Sequence, residues 1–185
     1  TPQVLVDKML DMAQVTPKDY LMDLGSGDGR TVITAARRGA TALGIEYNPD
    51  MVELSNRNAE REGLPARASF VKADTFDTDF SRASVITLFL LPSLNLKLRP
   101  KILALKPGTR VVSNSFTMDT WEPDLTESLS RDGGCDGADD LVRGHRSRGH
   151  HDIPEPLRAE LLPSALPRLL HPAGAEHGEA GRAAG

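Results

Sequence analysis

Residues 20–24 form a short apolar stretch that runs into the turn Gly25, Ser26, Gly27, Asp28, Gly29, and residues 31–38 beyond it read as a helix. No other feature restricts the fold so strongly. Glycines at alternate positions between a strand and a helix let the backbone turn sharply and approach a ligand closely, and the first helical turn presents unpaired N–H groups with a partial positive charge. Such a unit is a cradle for an anionic or polar cofactor. The dinucleotide fingerprint is G-x-G-x-x-G, and here the third glycine comes one residue early. Glycine-rich turns also arise for structural reasons alone, so the surrounding pattern has to decide.

That pattern is an alternation of strands and helices. Gly39 stops the first helix, and residues 41–47 read as a second strand carrying Glu46 near its end. A βαβ unit places an acidic side chain about twenty residues beyond its glycines, where it accepts two hydrogen bonds from a ribose diol. A solvated strand-end glutamate is the bland alternative, and the glycine turn tips the balance against it. Asn48, Pro49 and Asp50 make a helix start, with Asn as cap and Pro at the first helical position, and Gly63 ends that helix. A third strand is expected over 68–74. Residues 83–91 are nearly continuously apolar, as in a central parallel strand buried on both faces.

Pro92 closes that run, and a Leu-rich segment over 93–106 is expected to be split by Pro100 into two short helices. Pro107 and Gly108 then turn into a fifth strand, 109–116. Ahead of the glycine turn, Thr1 and Pro2 can cap a packing helix with Val4, Leu5, Met9, Leu10 and Met12 on its apolar face. The expected class is α/β, a doubly wound, mostly parallel sheet with the ligand at the carboxyl ends of its strands.

At 185 residues the chain has room for one domain of ordinary size. Its composition changes after Trp121: every aromatic and every lysine lies at or before that residue, and all five histidines lie after it. A sheet needs β-branched and aromatic residues to cover it, which the later segment lacks. The expected division is therefore a domain over 1–121 and an irregular tail over 122–185, possessing no closing hairpin and explicable as out-of-frame translation of GC-rich DNA. Within the tail, Cys135, His145, His150, His151 and Asp152 lack metal-ligand spacing, so no metal is expected. A single cysteine excludes an internal disulfide. The net charge of −4 argues against a dominant nucleic-acid footprint. No apolar run reaches membrane-spanning length, and a cytoplasmic location is expected. The chain begins with Thr rather than Met, which leaves room for a removed N-terminal segment.

Taken together, the Asp23–Gly29 turn, the stretch 44–49, the triplet 72–74, the stretch 89–92 and the stretch 106–113 resemble a bacterial branch of the class I S-adenosylmethionine (SAM) methyltransferases. That branch is similar to the mitochondrial lysine methyltransferases that act on the c-subunit of ATP synthase and on the adenine nucleotide translocase. The resemblance covers roughly residues 1–121. It implies a Rossmann-like fold, SAM as cofactor, and a protein lysine as methyl acceptor. It further implies that Asp23, Gly25, Ser26, Gly27, Asp28 and Gly29 hold the methionine part of SAM. Glu46, with Tyr47 and Asn48 beside it, would hold the ribose, and Asp74, Thr75 and Phe76 the adenine.

Many amino methyltransferases carry an Asn/Asp-Pro-Pro-aromatic motif after the fourth strand, and here Phe89, Leu90, Leu91 and Pro92 stand in its place. The backbone carbonyls of Leu90 and Leu91 are the candidates for orienting an amine, and Ser93 and Asn95 are further candidate substrate contacts. Two other readings stay open: the same chemistry on a small molecule or RNA, and a non-catalytic or inactive fragment of the fold.

Overall fold

The computed structural model describes residues 1–129 and 140–147. Seven strands form one sheet: β1 (Tyr20–Leu24), β2 (Thr41–Glu46), β3 (Ala68–Lys72), β4 (Val85–Leu88), β5 (Arg110–Asn114), β6 (Leu125–Leu129) and β7 (Asp140–Arg146). Their order is β3-β2-β1-β4-β5-β7-β6. The first five are mutually parallel, while β7 runs antiparallel between β5 and β6. Four helices cover the sheet: α1 (Gln3–Met12), α2 (Arg30–Arg37), α3 (Pro49–Arg61) and α4 (Pro92–Leu103).

Side-chain alternation along the strands separates two cores. Leu21 and Val85 face the layer of α1 and α2, with Leu5, Met9 and Val32. Met22, Leu24, Ile86 and Leu88 face the other layer, with Leu98, Ile102 and Trp121. Two positions on the first face break the apolar pattern, Asp23 and Thr87, and they are register partners on neighbouring strands. On α1 the buried residues are Leu5, Val6, Met9 and Leu10, whereas Val4, expected on the apolar face, is 60% exposed.

Three expectations are corrected. The closing hairpin exists: β6 and β7 pair with each other, and β7 covers the edge of β5. Val142 and His145 are buried although β7 has neither an aromatic nor a long apolar run. Gly144 lets β7 lie close to α1, since a Cβ at that position would stand 2.9 Å from Met12 Sδ and push that flexible side chain aside. The domain consequently runs past Trp121 through both late strands, and the irregular tail cannot begin at 122. Residues 148–185, to which the expectation of out-of-frame translation also extends, lie outside the described residues.

The third correction concerns Pro100, which sits inside one continuous helix. It removes one intrahelical N–H, but Leu98, Arg99, Ile102 and Leu103 are buried around it and keep the helix in line. Among the described residues no helix is long and apolar enough to cross a membrane, and no group of three His, Cys, Asp or Glu could hold a metal ion. His145 instead packs its ring 4.7 Å from that of Trp121. Cys135, His150, His151 and Asp152 lie outside the described residues.

Candidate active site

A cleft of about 240 Å³ opens at the carboxyl ends of β1 and β4, where the strand order reverses. This is where doubly wound sheets bind ligands. Asp23, Gly25, Ser26, Gly27 and Asp28 line it from the turn, Met9 from α1, Arg30 and Thr31 from α2, and Phe89 from just beyond β4. Gly25 and Gly29 both adopt a φ of 83°, a left-handed conformation that other residues take only at a cost. Gly29 is absent from the lining. A Cβ there would stand 2.6 Å from the Phe70 ring and 2.9 Å from Ser55, so this glycine serves packing between α2, α3 and β3.

The turn is braced from behind by groups that no motif predicted. Ser55 Oγ donates to the Gly27 carbonyl at 2.8 Å, and Asn58 Nδ2 donates to the Asp28 carbonyl at 2.9 Å, both from α3. Glu46 also holds it, from the end of β2 and without lining the cleft: Oε2 accepts from Gly27 N–H and Oε1 from Asn48 N–H, each at 2.9 Å. Each carboxylate oxygen keeps one further acceptor position. Asn48 thereby orients Glu46 while its own side chain caps α3 at Asp50 N–H. Ser26 Oγ is buried without a hydrogen-bond partner among the described residues.

Asp23 is buried beneath the turn. Burial pushes its carboxyl up to about 7, with hydrogen bonds from Thr87 and Thr31 opposing the rise and the charges of Glu46 and Asp28 adding to it. Thr87 Oγ1 donates to Asp23 Oδ1 at 2.6 Å. Asp28 behaves oppositely, held below the usual carboxylate range by the Arg30 guanidinium. Arg30 also donates to the Thr1 carbonyl, tying the start of the chain to the turn. The first helix therefore does more than pack on α2, because Met9 and the segment at Thr1 also border the cleft.

Tyr47, Asp74, Thr75 and Phe76 do not line this cleft. Tyr47 is 75% exposed beside Glu46, and Asp74 Oδ1 accepts from Phe76 N–H in a turn after β3 that leaves the Phe76 ring exposed. Beyond β4, the Leu91 carbonyl accepts from both Leu94 and Asn95 N–H as α4 begins, so its lone pairs are taken and it cannot serve as an amine acceptor. The Leu90 carbonyl accepts no hydrogen bond among the described residues. Asn95 is fully buried and points to Ser113 and the Thr117 carbonyl, which corrects its expected role as a substrate contact. Ser93 is exposed on the first turn of α4.

Residues 23–125, the span from the glycine turn to the start of β6, match the model of the family described as the ANTKMT methyltransferase domain. The chain belongs to this methyltransferase family. It is 44% identical over 126 residues to a protein-lysine N-methyltransferase of Saccharolobus islandicus, covering 66% of this chain and 78% of that protein. It is 41% identical over 105 residues to the human ATP synthase c-subunit lysine N-methyltransferase, covering 56% of this chain but only 45% of that protein's length. A solved structure described as an RNA methyltransferase from Salinibacter ruber, in complex with S-adenosyl-L-homocysteine, superposes with a TM-score of 0.75 at 44% identity. That match covers 84% of this chain and 96% of the other. The methyltransferase fold was expected, and the late hairpin completes it.

Proposed function

We propose that this chain transfers a methyl group from SAM to the side-chain amine of a protein lysine. The observation that carries the reading is the acidic frame around the glycine turn, with Asp23 beneath it and Glu46 across from Gly27. The donor set fits the cofactor. Asp23 and Asp28 offer carboxylates to its ammonium and sulfonium, the two open positions on Glu46 suit a ribose diol, and the buried Ser26 hydroxyl lacks a partner among the described residues. Tyr47 and Phe76, exposed outside the cleft, would meet the adenine, with Asp74 and Thr75 next to Phe76 in sequence.

Bound there, SAM supplies a methyl on a sulfonium, already activated for in-line displacement. The protein's share is positioning and dryness. A lysine attacks only as the neutral amine, and Phe89 on the lining of the cleft favours that form by desolvating it. The Leu90 carbonyl accepts an amine N–H and orients the nitrogen. SAM held by Asp23, Ser26, Asp28 and Glu46 would supply the methyl carbon to that nitrogen and leave as the neutral thioether, with the amine proton passing to solvent.

A second reading, methylation of RNA, is favoured by the name of the Salinibacter relative. The charge balance through Trp121, 15 basic against 14 acidic residues, speaks against a strong phosphate footprint. Incubation of the purified chain with radiolabelled SAM and separated protein and RNA fractions decides between them. Label recovered as methyl-lysine after hydrolysis supports the proposal. Label confined to RNA overturns it.

A further inference from the structure

We propose that Phe89 and Phe116 form an aromatic wall that receives the alkyl chain of the acceptor lysine, and that α4 and β7 together hold the turn that carries Phe116. This deepens the methyltransferase reading and rests on it. The two rings stack with centroids 5.9 Å apart and planes inclined by 17°. Phe89 lines the cleft yet is 47% exposed. Folding alone does not call for an aromatic ring in that position, where burial would be worth more than exposure.

The backbone beneath Phe116 is held from both sides. Ser115 adopts a φ of 62°, unusual for a residue with a side chain, and such strain persists only where the surroundings over-determine it. From β7, the Leu141 carbonyl accepts from Ser115 N–H and Arg143 donates to the Ser115 carbonyl, each at 2.7 Å. From α4, Asn95 donates to the Thr117 carbonyl at 3.3 Å and Arg99 to the Met118 carbonyl at 2.7 Å. Ser113 Oγ donates to the Phe116 carbonyl itself at 2.7 Å. A rigid backbone thus carries a half-buried ring against Phe89 at the edge of the cleft.

The occupant follows from the chemistry of the wall. The two rings are apolar, the carbonyl of Leu90, next in sequence after Phe89, accepts no hydrogen bond among the described residues, and lysine combines four methylenes with a nitrogen that donates hydrogen bonds. A nucleobase could stack on the same rings, but it would bring phosphates. Among the described residues Arg30 is the single basic side chain lining the cleft, and Asp28 pairs with it, so the side chains of the lining offer no unpaired cation to a phosphate.

The test uses the full chain with carbon-13-labelled phenylalanine, saturated with S-adenosylhomocysteine, whose binding is measured first. Titration with Nα-acetyl-lysine methylamide should move the ring signals of Phe89 and Phe116, assigned through Phe89→Leu and Phe116→Leu, and leave that of buried Phe80 in place. Uridine monophosphate should move neither. With a lysine-containing peptide, Phe116→Ala should raise KM by about tenfold while cofactor affinity stays within about twofold, and Phe116→Tyr should restore KM. Arg143→Met should shift KM in the same direction. Still rings with the lysine probe, movement with the nucleotide alone, or an unchanged KM in Phe116→Ala would each overturn the proposal. Failure of the unaltered chain to bind S-adenosylhomocysteine would instead sink the cofactor reading beneath it.

Discussion

Thr87 and Asp23 face each other across β4 and β1, and the threonine hydroxyl donates to the buried carboxyl at 2.6 Å. Burial, opposed by that cross-strand hydrogen bond, sets the ionisation of the acid under the glycine turn. Burial raises Asp23 from the ordinary 3.8 to about 7, so near pH 6 the folded, cofactor-free protein holds a proton that the unfolded chain does not. Stability from this group is full below about pH 4 and is lost as pH rises through about 7, by on the order of 2–4 kcal/mol. Cationic SAM favours the ionised carboxylate, so its binding should release a proton at pH 6 and almost none at pH 8.5. Calorimetry in two buffers of different ionisation enthalpy measures that release. Proton release that persists unchanged in Asp23→Asn would refute the assignment.

Glu46 is expected to act twice, on the ribose and on the turn, because its two oxygens already accept from Gly27 and Asn48. Glu46→Ala should weaken SAM binding by roughly 1–3 kcal/mol through loss of charge-assisted hydrogen bonds. It should also narrow the affinity gap between S-adenosylhomocysteine and its 2′-deoxy analogue. Equal affinity in the variant and the unaltered chain would remove Glu46 from the site.

The glycines of the turn should separate into two kinds. A Cβ at Gly27 meets nothing within 4 Å, so beyond the strain that its φ of 54° imposes on any side chain, Gly27→Val should abolish cofactor binding rather than unfold the domain. A Cβ at Gly29 drives into Phe70 and Ser55, so Gly29→Ala should lower the melting temperature before it affects anything else. At Gly25 the obstacle is Leu90 Cδ2, 3.0 Å away, and Gly25→Ala should displace the acceptor side of the site together with the cofactor side. Thermal unfolding and calorimetry on the three variants test this division, which a uniform loss of stability would contradict.

His145 offers a pH-dependent reporter. Burial pushes its imidazole down to about 4 from an ordinary 6.5, with the Glu122 backbone offsetting part of the shift. Stability from the neutral ring is present above about 6.5 and lost as pH falls through about 4. Trp121 is the sole tryptophan and lies against that ring, so its fluorescence should change on acidification in the unaltered chain and far less in His145→Phe. Identical acid titrations would show that His145 does not titrate in this range.

The glycine turn and its surroundings were legible as structure because their constraints are local: the turn from Gly25 to Gly29, the capped start at Asn48 and Pro49, and Glu46 at a strand end follow one another closely in the chain. Thr87 was concealed in the apolar run of β4, where one polar residue in a buried strand was the available signal. Asn95 was expected as a substrate contact, and tertiary packing turns it inward, with Arg99 buried one helical turn on. The hairpin was missed for a different reason. β7 draws its burial from Val142 and His145 and its close approach to α1 from Gly144, a set too weak in strand-forming residues to stand out in the sequence.

Among the described residues the last strand in the chain, β7, is not the last in the sheet, since it inserts between β5 and β6. A ribosome that has delivered residues up to Asn114 has released every strand of the parallel half, including the glycine turn and Glu46. The Ser115 turn gains its partners Leu141 and Arg143 only after the chain has doubled back. Nascent chains are thus able to assemble the unit around the glycine turn before the Ser115 turn is locked by β7.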